Sequence, residues 1–204
     1  MHLNIKEPMT RNAQNTFQGI ERAAIRLFYE NGYYGTTVAD ITEAAGVAAG
    51  TFYLYFPSKL VLYQHILITL SKDIRSEIAR RVKGATTRYE KERLGIKAFI
   101  EYARERPEIY NIIWESLHID RRLFKEYYTS FSERYVKGLD KAAETGEIRP
   151  LDTEIVSFIL MGITNFVALK VIMDLGSNNH NIDRIVDVVM DLLECGLFEP
   201  DRKN

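Results

Sequence analysis

The side chains with the widest chemical range are few and scattered. The four histidines, His2, His65, His118 and His180, include no HExxH-type pair that would grip a metal ion from one helix face. Cys195 is the only cysteine, which excludes an intramolecular disulfide and a cysteine zinc cage. His118 with Asp120, and Glu194 beside Cys195, are pairs lacking the third group that an acid–base or nucleophilic site needs. Cys195 itself reads as a small buried side chain. No glycine-rich phosphate loop is present. On these grounds no catalytic residue, metal site or cofactor is expected, and the chain does not read as an enzyme.

A denser pattern lies between Thr37 and Lys59. Thr37 precedes Asp40 by three residues, the spacing of a capping box that opens a helix. Beyond the turn at Gly46, a short helix begins near Ala48 and ends near Tyr55. It starts with the small residues Ala48, Ala49 and Gly50, so its amino end can approach another molecule closely. Helix amino ends favour phosphate, and Thr51 can bond phosphate or a base edge. Alanine methyls suit thymine methyls in the major groove. Tyr53 and Tyr55 are expected on nearly one side of this helix with hydroxyls toward phosphates, and Lys59 is expected to supply a point charge. Phe52 and Phe56 are expected in the core.

The elements that must hold these groups read as helices. Phe17, Ile20, Ala24, Leu27 and Phe28 form an apolar stripe of helical period, with Asn15 as the expected N-cap and Asn31-Gly32 as the stop. Ser58 is expected to cap a long helix from Lys59 to about Val82. Four further amphipathic or apolar segments follow: about 89–105, one that Pro107 can open at its first turn, about 121–145 ended by Gly146, and an apolar one to Met173 capped by Asp152. A last one covers about 182–195. Nine helices and no strand make an all-α fold.

Leu27-Phe28, Gly32, Thr36-Thr37, Ile41, Ala44-Ala45-Gly46-Val47, Gly50-Thr51, Tyr53, Tyr55-Phe56, Lys59 and Leu62 together resemble the DNA-binding head of the TetR family, over roughly residues 16–65. The resemblance implies a three-helix helix-turn-helix domain over residues 1–58 and a helical ligand-binding and dimerisation domain over 59–204. It implies DNA contacts from Thr37, Ala48, Ala49, Gly50, Thr51, Tyr53, Leu54, Tyr55 and Lys59. Its commonest functional pattern is a repressor that binds an inverted-repeat operator on double-stranded DNA as a homodimer and is released by a small-molecule effector. Residues 1–60 carry five Lys or Arg (Lys6, Arg11, Arg22, Arg26 and Lys59) against five Asp or Glu, so affinity must rest on a few placed donors and on dimerisation. Ala49 stands where many relatives carry a longer polar or basic residue, which shifts specificity toward Thr51, Tyr53, Leu54 and DNA shape. The competing classes are a helical enzyme and a protein-interaction adaptor that retains the head.

The rest of the chain is greasier. Tyr102, Trp114, His118, Tyr128, Phe131, Tyr135 and Asn165 are the expected effector lining, Asn165 because a polar group in an apolar helix needs a partner. Arg121, Arg122 and Lys125 form a basic cluster beside this grease, a combination that suits an acyl-CoA. Phe158, Phe166 and Leu169 with Ile185, Val189 and Leu192 are the expected dimer interface. The segment from Ile155 to Met173 is long enough to span a bilayer, but Lys170 and Asn165 make insertion costly. It reads instead as a helix buried on both sides, with no membrane partner. The 204 residues are 46% hydrophobic with a net charge of −1, and Met1 to Asn15 lack a secretory apolar run. A cytoplasmic protein with a sizeable core is expected.

Overall fold

The computed structural model describes residues 3–174 and 181–195, so His2 and His180 lie outside the described residues. Within them the chain forms α1 (Arg11–Asn31), α2 (Val38–Ala45), α3 (Ala49–Tyr55), α4 (Lys59–Arg81), α5 (Arg88–Glu105), α6 (Glu108–Ile119), α7 (Arg121–Glu144), α8 (Thr153–Met173) and α9 (Ile182–Cys195), with no strand among the described residues. Packing gathers these into two compact units that interleave along the chain. The first holds the described residues up to Asp73 together with Arg106–Thr129. The second holds Ile74–Glu105 and the described residues from Ser130 onward.

In the first unit α1 begins earlier than its stripe suggests. Thr10, not Asn15, is the N-cap, and its hydroxyl accepts a hydrogen bond from the Ala13 amide at 3.2 Å. The first turn and a half is polar, so hydrophobic periodicity becomes visible only at Phe17. Phe17, Ile20, Ala24 and Phe28 then face the core. Phe52 and Phe56 are fully buried, and the Phe56 ring lies 4.8 Å from that of Phe17. Each such ring contributes about 1.5–3 kcal/mol by leaving water. The capping box at Thr37 is formed, and α2 ends at Gly46 in the left-handed conformation (φ 67°) that glycine adopts without strain. Ser58 caps α4 by accepting the Val61 amide at 3.2 Å.

In the second unit α5 packs against α8 and α9. Ile96, Phe99 and Ile100 from α5, Leu160 and Ala168 from α8, and Val186 from α9 are buried there. Arg93 and Lys97 add ion pairs to Asp187 and Asp183 at 2.6 and 2.5 Å. Asp152 caps α8, accepting the amides of Glu154 and Ile155 at 3.1 Å each.

Two expectations fail in this unit. By length and composition α8 is long and apolar enough to cross a membrane, yet only 33% of its most apolar stretch is buried. It hides Ser157, Leu160, Ala168 and Val171 and leaves Ile155, Phe158, Ile159, Phe166 and Met173 exposed. An apolar helix shows that it wants two neighbours, but not that its own chain supplies both. Cys195 is exposed rather than buried. The negative charge of Asp191 beside it raises its thiol above the ordinary range, so it is no activated nucleophile.

Candidate nucleic-acid interface

The approach to the interface is built by the turn between α1 and α2. Gly32 leaves α1 with a positive φ of 73°, and Thr36 is fully buried with its hydroxyl directed at the carbonyls of Leu27 and Gly32. Thr37 follows, exposed, at the head of α2. Its backbone amide and its hydroxyl both donate to one carboxylate oxygen of Asp40 at 2.7 Å. The backbone bond from Thr37, with help from its hydroxyl, holds the Asp40 carboxyl below the usual aspartate range. Thr37 therefore reaches solvent with its hydroxyl already oriented by Asp40.

Helix α3 presents the expected surface. Ala48, its N-cap, has no side-chain cap bond, and Ala48, Ala49 and Gly50 are exposed. A Cβ placed on Gly50 would meet nothing within 4 Å, so no contact inside the chain requires glycine there. Tyr53 and Leu54 are 56% and 59% exposed, and Thr51 is half-buried. Tyr55 departs from the expected placement. Residues two apart on a helix point about 200° from each other, and Tyr55 turns inward, half-buried, edge-on to Phe17 at 5.5 Å. Its backbone carbonyl accepts the Lys6 amide at 3.3 Å, which lays the segment before α1 along the end of α3.

Lys59 also has a different task from the expected point charge for DNA. Its ammonium donates to the carbonyls of Tyr33 and Thr36 at 2.6 Å each and stands 4.1 Å over the Tyr33 ring. Burial lowers its pKa, and the charges of Glu115 and Asp40 offset part of that. Two of its three donors thus tie the start of α4 to the turn that aims Thr37. Glu115 on α6, which the sequence reading did not single out, accepts the Tyr33 amide on both carboxylate oxygens at 2.9 and 3.1 Å. Only a carboxylate's position in space marks such a bond, and no spacing rule joins residues 82 apart.

The expected effector residues divide between the units. Trp114, His118 and Tyr128 belong to the first and Tyr102, Phe131, Tyr135 and Asn165 to the second. In the first unit Trp114 is exposed, and its ring leads through Phe124 at 6.2 Å to Tyr128, a further 4.9 Å on. His118 is exposed near this cluster in sequence. Arg121, Arg122 and Lys125 are exposed at the start of α7, Arg122 loosely paired with Asp120 at 3.4 Å. In the second unit several candidates are already engaged. Tyr135 donates to Glu92 beneath the Arg88 guanidinium, Phe131 lies under Arg75 at 5.2 Å, and Asn165 donates to its own helix at Met161 over 2.7 Å. Asn165 therefore finds a partner within its own helix and does not need an effector to supply one. A cleft of about 160 Å³ between α1 and α4 is bordered by Glu21, Arg22, Asp73 and Arg106, and none of the seven expected residues lines it.

Of the expected interface residues, Phe158, Phe166 and Leu192 are exposed and Leu169 and Ile185 are half-buried. Val189 is buried within its own unit and leaves that set. Ile155, Ile159, Met173 and Val188 are exposed apolar residues on the same two helices that the sequence reading left out.

Comparison with known proteins agrees with this arrangement. Residues 20–66 match the model of bacterial regulatory proteins of the tetR family. The chain is 24% identical over 179 residues to the uncharacterized HTH-type transcriptional regulator YhgD of Bacillus subtilis (strain 168), covering 86% of this chain and 91% of that one. Its fold is shared with the transcriptional regulator FadR from Bacillus subtilis, solved in complex with stearoyl-CoA, with a TM-score of 0.78 at 22% identity over 89% of this chain and all of the other. It is shared too with AibR, solved with isovaleryl coenzyme A and operator DNA, with a TM-score of 0.70 at 18% identity over 87% and 97% of the two chains. With an exposed α3 set behind a capped α2, residues 20–66 form a head that matches bacterial regulatory proteins of the tetR family, and the chain as a whole shares the helical fold of these solved regulators.

Proposed function

We propose that the chain is a ligand-responsive repressor that binds an inverted-repeat operator as a homodimer, and that it is neither an enzyme nor an adaptor. The observation that carries this reading is α3, whose Ala48, Ala49, Gly50, Tyr53 and Leu54 face solvent while Phe52 anchors the helix from behind. Thr51 and Leu54 address base edges and Tyr53 addresses phosphates, while Thr37, its hydroxyl proton committed to Asp40, presents the amino end of α2 to the backbone. Tyr55 and Lys59 position this surface rather than extend it. The division into a DNA-binding part over 1–58 and a regulatory part over 59–204 is functional and does not follow the packing units.

A single helix-turn-helix reads a short half-site, so a pair related by a two-fold axis is needed for tight binding. The open faces of α8 and α9, with Phe158, Phe166 and Leu192, supply the surface for that pairing. The effector is a small, largely apolar molecule, and acyl-CoA is its chemical class. Support comes from the aromatic cluster of Trp114, Phe124 and Tyr128 beside the basic start of α7, and from two structural neighbours solved with stearoyl-CoA and isovaleryl coenzyme A. Effector binding shifts the population toward a form whose heads no longer fit major grooves about 34–36 Å apart. Such a protein works in the cytoplasm, where DNA and acyl-CoA meet.

Selection from random duplex DNA tests the reading. It should enrich a two-fold symmetric site bound by the dimer, and addition of stearoyl-CoA or isovaleryl-CoA should weaken that complex. Enrichment of no sequence at all would refute it.

A further inference from the structure

Tyr33 is held by both of its backbone groups, and by two charges of opposite sign from two different helices. Its amide donates to the Glu115 carboxylate of α6, and its carbonyl accepts from the Lys59 ammonium of α4. The carboxylate lies so close to the chain that a Cβ on Gly32 would stand 2.8 Å from Glu115 Oε1. Gly32 is favoured by its positive φ, and a side chain there would push the Glu115 carboxylate away from the Tyr33 amide. Lys59 also grips Thr36, whose buried hydroxyl braces the same turn, and the next residue is Thr37, the N-cap of α2. Helix α6 and the amino end of α2 are thus joined through five residues of turn.

On the other side of α6, the residue before Glu115 is Trp114. Adjacent residues on a helix point about 100° apart. Trp114 reaches the Phe124 ring, which in turn meets Tyr128, while Glu115 reaches the turn. The short connection makes one helix both the edge of the effector cluster and the holder of the head.

We propose that Glu115 is a positioning residue for the DNA-facing surface, delivering a displacement of α6 directly to the start of α2 through the Tyr33 backbone, without passage along α4. This rests on the regulator reading above and deepens it by naming a route of regulation. Coupling between sites is reciprocal, so DNA bound at the head must be felt at α6 if the route exists. That allows a test needing no identified effector.

Hydrogen exchange is followed on the full chain, free and bound to a selected operator duplex, for wild type, Glu115→Ala and Glu115→Gln. In the free protein, exchange of the Tyr33 amide should quicken about tenfold in Glu115→Ala and much less in Glu115→Gln, which keeps an acceptor of the same shape. On DNA binding, residues 108–119 should slow in wild type, and this response should be lost in Glu115→Ala while residues 49–55 are still protected. Glu115→Gln should retain at least half of it. Unchanged Tyr33 exchange in Glu115→Ala, or an α6 response that survives that substitution, overturns the proposal while leaving the regulator reading intact. A wild-type chain that selects no duplex overturns the regulator reading itself and the proposal with it.

Discussion

Helices α1 and α8 are the same length, and their burial runs opposite to their hydrophobicity. The mostly polar α1 buries Phe17, Ile20, Ala23, Ala24 and Phe28 and leaves Ile25 and Leu27 half-buried. The mostly apolar α8 leaves Ile155, Phe158, Ile159, Phe166 and Met173 open. The head packs its large apolar side chains on Phe52 and Phe56, and α3 exposes small residues with Tyr53 and Leu54. The second unit is different, because a contiguous apolar face of this kind is a surface shaped for a partner. The proposed pairing assigns these two conditions to two tasks, reading to the head and adhesion to the open face of α8.

The sharpest way to break this contrast is to truncate one buried and one open aromatic. Phe28→Ala should cost about 3–5 kcal/mol in chemical denaturation, because it leaves a cavity in the head. Phe166→Asp should leave the fold of each chain intact while sedimentation velocity shows the dimer falling apart to monomers. A dimer that survives Phe166→Asp unchanged would show that the open face of α8 is not the interface.

Next in size is the clamp on the turn. Lys59→Met removes the donor from two carbonyls and should destabilise the head by about 1–3 kcal/mol. The loss should be visible in urea denaturation and as faster exchange over residues 33–37. Stability equal to wild type would return Lys59 to the role of an exposed charge.

Gly50 offers a test in which two properties move in opposite directions. With open space around its missing Cβ, Gly50→Ala should stabilise the protein by about 0.5–1 kcal/mol, since glycine inside a helix is costly. The added methyl should at the same time weaken operator binding in a fluorescence anisotropy titration. Tighter binding in the more stable variant would mean that DNA does not approach α3 there.

The smallest effect is the pH dependence of the capping box. The Asp40 carboxyl titrates below its ordinary value of 3.8 because Thr37 bonds the ionised form. Its contribution to stability is fully present above that ordinary value and disappears as pH falls through the lowered folded one. The difference in melting temperature between wild type and Asp40→Asn should therefore close in strong acid, and a difference independent of pH would assign it to something other than the charge.

The helices were legible in the sequence wherever a cap or a breaker marked them, as at Thr37, Ser58, Pro107, Gly146 and Asp152. The start of α1 was not, since Thr10 lies ahead of any apolar period. The exposed face of α3 could be read from its run of small residues, whereas Tyr55 was misplaced by treating a spacing of two as one side of a helix. Lys59 and Glu115 show the harder limit. Both carry charges that local reasoning sends to solvent or to DNA, and both instead satisfy backbone groups of a turn far away in the chain. The openness of α8 was hidden for a related reason: composition reports that a helix is apolar, not how many neighbours surround it.

The central claim, that the open side of α3 is the surface that enters DNA, is tested most directly with Tyr53→Ala and Leu54→Ala combined in one chain. Both side chains are exposed, so the fold should be retained, as circular dichroism and the melting temperature would confirm. Anisotropy titration against the selected duplex should show at least a tenfold loss of affinity at fixed salt. An affinity equal to that of the wild type, in a folded dimer, would contradict the claim.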